Sequence, residues 1–548
     1  MYKKDPDELD EFVVGDLLAA RAKSHRSACF LEFRDSSFTF GEVDEQVDQV
    51  VCGLTAAGVC PGDHVAVMLP NRPEMVFAMF ALARLGAVAV PVNTAHRGEV
   101  LRQVVGGAHC TTLIIDDAYV SRLVPVAEQL PYLRRVVVAG ARPGAPGEEA
   151  TRVAKIPAFD WASLLVHGTE PATRRVTFAD LLAIMYTSGS TGPAKGAMVP
   201  HALALACAQD VRGFVNPQGK KLYCPLPLFH AAALWDGVFS ALLGGSAIAI
   251  VERFSASRFW DDVRRFEAKV ALSVFAMLPI LLNRPPSPSD RDHPLEVFYT
   301  GKSALDSAFS RRFGVRSVEA YTSTEGGVPL ASPFGRWREG SCGKANDKRF
   351  DVAVVDEWDR EVPIGSAGEL VLRPKQPYVI TTGYYERFDA TARAFRNMWF
   401  HTGDRVRQDA DGYFYFVDRM ADGIRRRGEN ISAFDIELEV NTHPGVEECA
   451  VIAVPAEVGE DDVKLVVVTR PPAKLTHDEV IDFCRVKLPG FMVPRYVEFV
   501  PELPRTPTDK IAKHELRAAG DRGLTSQTWD RERRAFVPLA AELAREPA

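Results

Sequence analysis

The segment YTSGSTGPAKG at residues 186–196 is the most informative stretch of this sequence. It follows an apolar, strand-like run at 181–187 and precedes a helix-like stretch at 202–211. Its three glycines let the backbone come close to an anion, and Lys195 adds a positive charge beside several hydroxyls. Because Gly196 stands where a Walker A loop has Ser or Thr, a P-loop ATPase is disfavoured. The pattern predicts a backbone cradle for a polyphosphate, although its composition also suits a surface turn.

Outward from this loop, short apolar runs alternate with amphipathic stretches. The run HVAVMLP (64–70) is typical of a strand, residues 73–87 have helical periodicity, and AVAVPV (87–92) is typical of the next strand. This alternation predicts crossover units and largely parallel sheets, so the expected fold class is α/β. Beyond about residue 350 short alternating strands predict a small β unit, and from about residue 420 the pattern predicts a small α+β domain.

Composition and charge exclude several classes of protein. The 548 residues carry 72 acidic and 65 basic side chains, and this lack of a basic excess argues against a nucleic-acid partner. The longest uncharged apolar run, 237–251, is shorter than the roughly 20 residues of a membrane span, and the acidic N-terminus does not resemble an export signal. Nine cysteines form no CxxC pair and no histidines have HxxxH spacing, which predicts reduced thiols, a cytoplasmic location and no protein-held transition metal.

Five further motifs follow the glycine-rich loop in a fixed order. With that loop, they make the chain resemble the adenylate-forming (ANL) superfamily from roughly residue 12 to 518, in its acyl-CoA synthetase or acid–CoA ligase branch. The sequence FVDR…RRGENIS is most similar to the corresponding motif of carnitine- and crotonobetaine-CoA ligases. The motifs are PLFH (227–230), YTSTEGG (321–327), WFHTGD (399–404), VDRMADGIRRRGENIS (417–432) and PRTPTDKIAKHELR (504–517).

The resemblance implies a fold and a division of the chain. The expected fold has a large N-terminal domain of stacked α/β sheets plus a β barrel, and a small mobile α+β C-terminal domain. We therefore predict a nucleotide- and acyl-binding domain at 1–418, a hinge at 419–422 and a mobile domain at 423–520. The tail at 521–548 is expected either to form one amphipathic helix or to stay mobile.

The resemblance also implies the residues that bind the nucleotide. Glu325 is the implied magnesium carboxylate, and one Glu is enough because Mg²⁺ prefers few protein oxygens and completes its shell with phosphates. Thr324 is expected to touch the α-phosphate and Tyr321 to stack on adenine. Asp404 is expected to accept both ribose hydroxyls, since a carboxylate is an acceptor facing two donors. The remaining expected contacts are Arg419 and the loop residues Thr187, Ser188, Gly189, Ser190, Thr191, Gly192 and Lys195.

The resemblance implies residues for each of the two half-reactions, adenylation and thioester formation. Lys510 is the implied catalytic lysine, which bridges the substrate carboxylate and the α-phosphate and stabilises charge that develops only in the transition state. Gly428 is implied to pass the pantetheine arm after the C-terminal domain rotates, because it has no side chain to block it. His230 resembles a gate at the tunnel, although a satisfied core histidine is the alternative. The basic turn 425–427 could pair with CoA phosphates or simply be solvated.

The acyl pocket is expected at 234–239, 275–278 and 299–303, but the sequence does not identify the acid. Trp235 and Phe239 suggest an apolar acid of some bulk. Lys302, after Gly301, stands where the family has a glycine, so it could bind a polar or anionic acyl group, obstruct ATP, or point to solvent. The other departures from the family pattern are Ala421 in the hinge, Asp509 before the lysine and Met398 before WFHTGD.

These features favour an acid–CoA ligase that uses ATP and Mg²⁺ to make acyl-AMP from a small carboxylic acid and transfers the acyl group to coenzyme A. Three alternatives stay open at this point. The departures allow a thioesterification-only enzyme that takes preformed acyl-AMP. A stand-alone adenylation enzyme that loads a carrier protein is also possible, as is a non-catalytic adenylate-binding relative. Retention of Lys510, Glu325 and Asp404 argues against the last, and the oligomeric state is unknown from sequence.

Overall fold

A computed structural model describes residues 12–140, 156–166, 175–187, 194–215, 219–274, 277–300, 306–332, 336, 338–419, 424–426, 429–431, 433–456, 461–472, 475–488, 490–506 and 510–537. Its helices are α1 (Val14–Ser24), α2 (Phe40–Ala56), α3 (Pro73–Leu85), α4 (Gly98–Gly107), α5 (Val120–Leu123), α6 (His201–Val215), α7 (Ser240–Gly244), α8 (Phe259–Arg265), α9 (Met277–Leu282), α10 (Asp306–Phe313), α11 (Phe388–Ala394), α12 (Ala433–Val440), α13 (His477–Lys487) and α14 (Lys513–Ala518), with a π-helix at Ala232–Phe239.

The strands fall into three groups along the chain. The first sixteen are β1 (Cys29–Phe33), β2 (Ser36–Thr39), β3 (His64–Met68), β4 (Val88–Pro91), β5 (Thr112–Asp116), β6 (Arg135–Ala139), β7 (Ala158–Asp160), β8 (Leu181–Thr187), β9 (Lys195–Pro200), β10 (Leu222–Cys224), β11 (Ile248–Ile250), β12 (Val270–Leu272), β13 (Val297–Thr300), β14 (Arg316–Ser323), β15 (Gly327–Ala331) and β16 (Lys344–Ala345). The next four are β17 (Phe350–Val355), β18 (Ala367–Pro374), β19 (Phe400–Gln408) and β20 (Phe414–Arg419). The last seven are β21 (Ile424–Arg426), β22 (Glu429–Ile431), β23 (Val446–Pro455), β24 (Asp461–Thr469), β25 (Tyr496–Phe499), β26 (Trp529–Asp530) and β27 (Ala535–Phe536).

Two mainly parallel sheets form the large domain. One has seven strands in the order β7-β6-β5-β3-β4-β8-β9, and the other has nine in the order β16-β15-β14-β13-β12-β10-β11-β1-β2. Apolar residues of α2, α3 and α6 lie between them and form one core with both sheets. Helix α2 begins at a capping box in which Thr39 and Glu42 satisfy each other's backbone amides. The α/β prediction is therefore confirmed.

The third sheet of the large domain is an open half-barrel. Strands β17 to β20 pair in order, all antiparallel, and pack their apolar faces around Phe350, Leu372 and Phe414. The fully buried Arg349, next to β17, ties this sheet to α6, because its Nε lies 3.2 Å from Asp210 Oδ1. The β barrel expected from the resemblance corresponds to this half-barrel.

The C-terminal domain has a five-stranded sheet in the order β23-β24-β25-β26-β27, with α12 and α13 on one face and α14 on the other. Its interior contains charges: Arg495 lies 2.9 Å from Asp462 and 3.0 Å from Asp530. Because β26 and β27 extend this sheet, the expectation of a helical or mobile tail is wrong for residues 521–537. The boundary at 418 and the hinge at 419–422 stay predictions.

None of the helices in the described part of the chain combines the length and the apolar character that crossing a membrane requires.

Candidate functional site

The glycine-rich loop lies in a β-hairpin. Thr187 at the end of β8 pairs with Lys195 at the start of β9, and the intervening residues Ser188, Gly189, Ser190, Thr191 and Gly192 lie outside the described residues. The helix predicted at 202–211 is confirmed as part of α6, and the six residues of strand β9 precede that helix. The predicted phosphate-binding segment is therefore flanked by the paired strands β8 and β9.

Glu325 lies in the turn between β14 and β15, directly beside this hairpin. The hydroxyl of Thr187 donates to Glu325 Oε1 over 3.3 Å. The backbone amide of Thr381 donates to the carbonyl of Glu325 over 2.7 Å, which fixes the turn from its other side. Strand β8 and the YTSTE motif are far apart in sequence, and the fold brings them together as the resemblance implied. Thr324, the expected α-phosphate contact, is half-buried in the same turn.

The oxygen ligands available at Glu325 suit a magnesium ion that takes its remaining ligands from the phosphates of the enzyme's substrate. Within the described ranges, no three or more His, Cys, Asp or Glu side chains form a group able to hold a metal ion by themselves. Mg²⁺ usually binds one or two carboxylates and takes its other ligands from water and substrate phosphates. Glu325 beside the phosphate hairpin fits that requirement, with Thr187 as its neighbour.

Tyr384 is a site residue that the sequence reasoning missed. Its hydroxyl donates to Glu325 Oε1 over 3.1 Å, and the Lys195 Nζ lies 5.2 Å from the centre of its ring. Burial, and then the charge of Glu325, raises the pKa of Tyr384, so the phenol stays protonated and remains a donor. The pair of tyrosines in TTGYYE (381–386) was the available signal, but nothing local indicates its partners.

Asp404 and Tyr321, two residues predicted to bind the nucleotide, are in direct contact. The Tyr321 hydroxyl donates to Asp404 Oδ2 over 2.5 Å, and both residues are buried. Asp404 pairs across β19 and β20 with Arg419, which places the backbone of that predicted nucleotide contact beside it. The expected stacking of Tyr321 on adenine stays a prediction, and its hydroxyl has an orienting contact that the sequence did not indicate.

A buried glutamate supports the part of β19 that carries Asp404. Glu369 Oε1 accepts the Gly403 amide over 3.0 Å, and its Oε2 lies 2.9 Å from His401 Nδ1. Burial alone would raise the pKa of Glu369, but the bonds from His401 and Gly403 hold it below its ordinary value. Glu369 therefore stays charged and fixes His401 and Gly403, shortly before Asp404, a role no motif indicated.

Lys510, in the C-terminal domain, lies close enough to His230 for its charge to act on the imidazole. Burial, and then the positive charges of Lys510 and His96, lower the pKa of His230 to about 4, so the imidazole is neutral near pH 7. Lys510 is exposed, and its backbone amide and carbonyl are held by Thr506, at 3.1 and 2.6 Å. The structure thus brings together the predicted lysine and the predicted gate residue.

The acyl side is packed more tightly than the sequence suggested. Trp235 and Phe239 lie on the π-helix and are almost fully buried, at 1% and 0% exposure, with Phe239 packed against Phe80 at 5.8 Å. This packing leaves them no free surface for a substrate in this structure, so their assignment to the pocket stays a prediction. Gly301 and Lys302 lie outside the described residues.

One hypothesis about the basic turn is wrong. Arg426 is buried, its Nε lies 2.8 Å from Asp462 Oδ1, and its Nη1 donates to the carbonyls of Phe491 and Val493. It therefore stabilises the C-terminal domain and does not face CoA phosphates. Arg427 and Gly428 lie outside the described residues, so their predicted roles stay predictions.

Two family models match this chain. The AMP-binding enzyme family matches residues 18–385, and the AMP-binding enzyme C-terminal domain matches residues 435–510. Among curated relatives, the crotonobetaine/carnitine–CoA ligase of Salmonella paratyphi B is 30% identical over 500 residues, covering 88% of this chain and 93% of the relative. The enzyme of the same name from Salmonella typhi is 30% identical over 491 residues, with the same coverage of both chains.

Solved structures share the fold. The anthranilate CoA ligase AuaEII in complex with anthranoyl-AMP superposes with a TM-score of 0.80 at 24% identity, covering 92% of this chain and 96% of that one. The o-succinylbenzoate CoA synthetase of Bacillus subtilis with ATP and magnesium gives a TM-score of 0.75 at 23% identity, covering 91% and 99%.

The family matches span both domains, and the motif residues that the fold brings together lie within or between them. The chain therefore belongs to the AMP-binding enzyme family of the ANL superfamily, as an AMP-forming acid–CoA ligase that makes an acyl-adenylate and then an acyl-CoA.

Proposed function

We propose that this ligase runs both half-reactions itself, with Lys510 as the residue that drives adenylation and CoA as the thiol acceptor. The observation that carries the proposal is the position of Lys510, whose charge acts on His230 from the other domain. A lysine near the predicted gate residue can stabilise the charge that develops as a carboxylate attacks the α-phosphate. This position of Lys510 supports a C-terminal domain that takes part in the first half-reaction.

The other residues of the site have separate tasks in this proposal. Glu325, with Thr187, would hold the magnesium ion that bridges the ATP phosphates, and Lys195 would add positive charge on the phosphate side. Asp404 would accept the ribose hydroxyls in the orientation that Tyr321 sets. His230, neutral near pH 7, would act as an uncharged gate and not as a proton donor.

The thioesterification-only alternative rests on four positions that depart from the family pattern. At least one of these departures lies away from the site. Met398 replaces a family glycine, and its backbone has the left-handed φ of 65° that favours glycine. Its side chain is 84% exposed, so this change costs local backbone strain and alters no contact within the site. The other three departures, Lys302, Ala421 and Asp509, lie outside the described residues.

The acid is the unassigned part of the function. A first panel consists of the acids named for similar proteins: carnitine, crotonobetaine, anthranilate, benzoate and o-succinylbenzoate. Each acid is assayed with ATP and Mg²⁺ for pyrophosphate release, and then for thioester formation with CoA or with a holo carrier protein. Both products from one acid with free CoA support the proposal. Thioester formed only on the carrier protein would show that the carrier protein, and not CoA, is the acceptor.

The cytoplasmic location also stays a prediction.

Lys510→Ala tests the division of labour. We expect pyrophosphate release to fall by roughly 100-fold or more, the scale of removing one electrostatic stabiliser, while supplied acyl-adenylate is still converted to thioester. Lys513→Ala is the matched control, because Lys513 is close in sequence but pairs with Glu437 at 2.8 Å inside its own domain. Equal loss of both half-reactions in Lys510→Ala, or normal pyrophosphate release, would contradict the assignment.

A further inference from the structure

We infer that Tyr384 is a positioning residue for the nucleotide: it holds the Glu325 carboxylate and the Lys195 ammonium apart, so that both act on magnesium-bound ATP phosphates. This inference rests on the proposed function, because it assigns a task within the same phosphate site. It adds a residue from a segment, 381–386, that none of the sequence motifs discussed above includes.

The inference rests on the two neighbours of the Tyr384 side chain. A carboxylate lies at its hydroxyl, and an ammonium lies over the face of its ring. The hydroxyl of Tyr384 donates to Glu325 Oε1 over 3.1 Å. The face of its ring receives Lys195 Nζ at 5.2 Å from the centroid, which is within the range of a cation–π contact. The rigid phenol therefore sets the spacing between the anion and the cation.

That spacing matters because the two charges have different targets. At about 4 Å in a partly buried site, an ammonium and a carboxylate attract each other by several kcal/mol before desolvation is counted. A direct ion pair would turn Lys195 away from the phosphates and weaken Glu325 as a magnesium ligand. A neutral phenol between them satisfies both groups without cancelling their charges.

Tyr384 can act as a spacer because its backbone is fixed to the phosphate hairpin. It bridges Ala197 of β9, and the amide of the next residue, Tyr385, donates to the carbonyl of Gly196 over 2.8 Å. On its other side, its own amide donates to Thr391 Oγ1 over 2.9 Å. The backbone that carries the ring is therefore held against the strand that begins with Lys195.

Calorimetric binding to the full-length protein tests the inference without knowledge of the acid. The probes are ATP with MgCl₂, ATP with EDTA, and AMP. Tyr384→Phe keeps the ring under Lys195 but removes the bond to Glu325, so we expect affinity for MgATP to fall about tenfold, while affinity for AMP changes less than about twofold. Tyr384→Leu, which also removes the ring, should lose more MgATP affinity, again without loss of AMP binding.

Tyr385→Phe is the matched control. Tyr385 is the neighbouring tyrosine, and its hydroxyl lies 3.3 Å from His109 Nδ1, not at Glu325. We expect this variant to bind MgATP and AMP as the unmodified protein does. Thermal unfolding of each variant separates loss of a contact from loss of the fold.

Three results would overturn the inference: MgATP affinity unchanged in both Tyr384 variants, AMP affinity falling as far as MgATP affinity in a folded variant, or the same loss in Tyr385→Phe. Failure of the unmodified protein to bind either MgATP or AMP would instead contradict the proposed function. The two failures are therefore distinguishable.

Discussion

Two buried aspartates, Asp404 on the nucleotide side and Asp236 on the π-helix of the acyl side, each accept a hydrogen bond from a tyrosine hydroxyl. The bond from Tyr321 to Asp404 is 2.5 Å long, and the bond from Tyr299 to Asp236 is 3.3 Å. The second donor to Asp236 within the described residues is the thiol of Cys207, at 3.2 Å. The residue types are alike, but the donors differ in strength.

The difference shows that surroundings, and not residue type, decide what a buried carboxyl can do. A thiol and a long phenol bond compensate little of the cost of burying a charge, so burial raises the pKa of Asp236 to about 7. Asp404, by contrast, lies on β19 of the half-barrel, where Glu369 holds the amide of the preceding Gly403 and Tyr321 donates a short bond. One aspartate is predicted to accept the ribose hydroxyls, and the other is enclosed in the protein interior.

The largest expected effect comes from Asp404→Asn. The amide replaces one acceptor oxygen with a donor, so it loses charge-assisted bonds to the ribose hydroxyls and to Tyr321. We expect the Kd for AMP to rise by roughly 100-fold, with little change in thermal stability. Calorimetry with AMP measures this, and an unchanged Kd would show that Asp404 does not face the ribose.

Asp236→Asn should act on stability instead. As pH rises from about 4 to about 7, an Asp236 carboxyl in the unfolded chain loses its proton while the folded one keeps it, so folding stability falls over that window. The neutral amide removes this cost. We therefore expect the variant to be more stable than the unmodified protein at pH 8, by an amount on the order of a few kcal/mol, with a smaller gain at pH 5.

Thermal unfolding at pH 5 and pH 8 measures the pH dependence of Asp236→Asn. Asp261→Asn is the matched control, because that carboxylate is 79% exposed and pairs with Arg264 on the surface. A gain that is equal at both pH values, or a gain in the control as well, would contradict the account.

The smallest expected effects come from the two tyrosines. Tyr321→Phe removes one short bond to Asp404 and should raise the Kd for AMP about tenfold. Tyr299→Phe removes the bond to Asp236 and should leave AMP binding unchanged, while further weakening stability at pH 8, where Asp236 is charged. If Tyr299→Phe weakens AMP binding as much as Tyr321→Phe, the two sides of the site are not separate.

The sequence was a good guide where a motif contains its own chemistry. The motifs predict roles for the glycine-rich loop, Glu325, Asp404 and Lys510, and the alternation of apolar runs predicted the α/β sheets that the structure has. It failed for Arg426, whose basic turn suggested solvent or phosphate, because Asp462 and two carbonyls from distant segments accept its bonds. It also failed for the tail, since β26 and β27 form only by pairing with β25 and each other.

The amino-acid sequence by itself determined the reaction class and the alternation of strands and helices, because glycine spacing, charge placement and apolar periodicity are local properties. Only the tertiary structure decided which side chains work together. Tyr384 lies 59 positions from Glu325, and Tyr321 lies 83 positions from Asp404. Burial and hydrogen bonding across such separations set the protonation of Asp236 and His230, and neither quantity exists until the sheets pack.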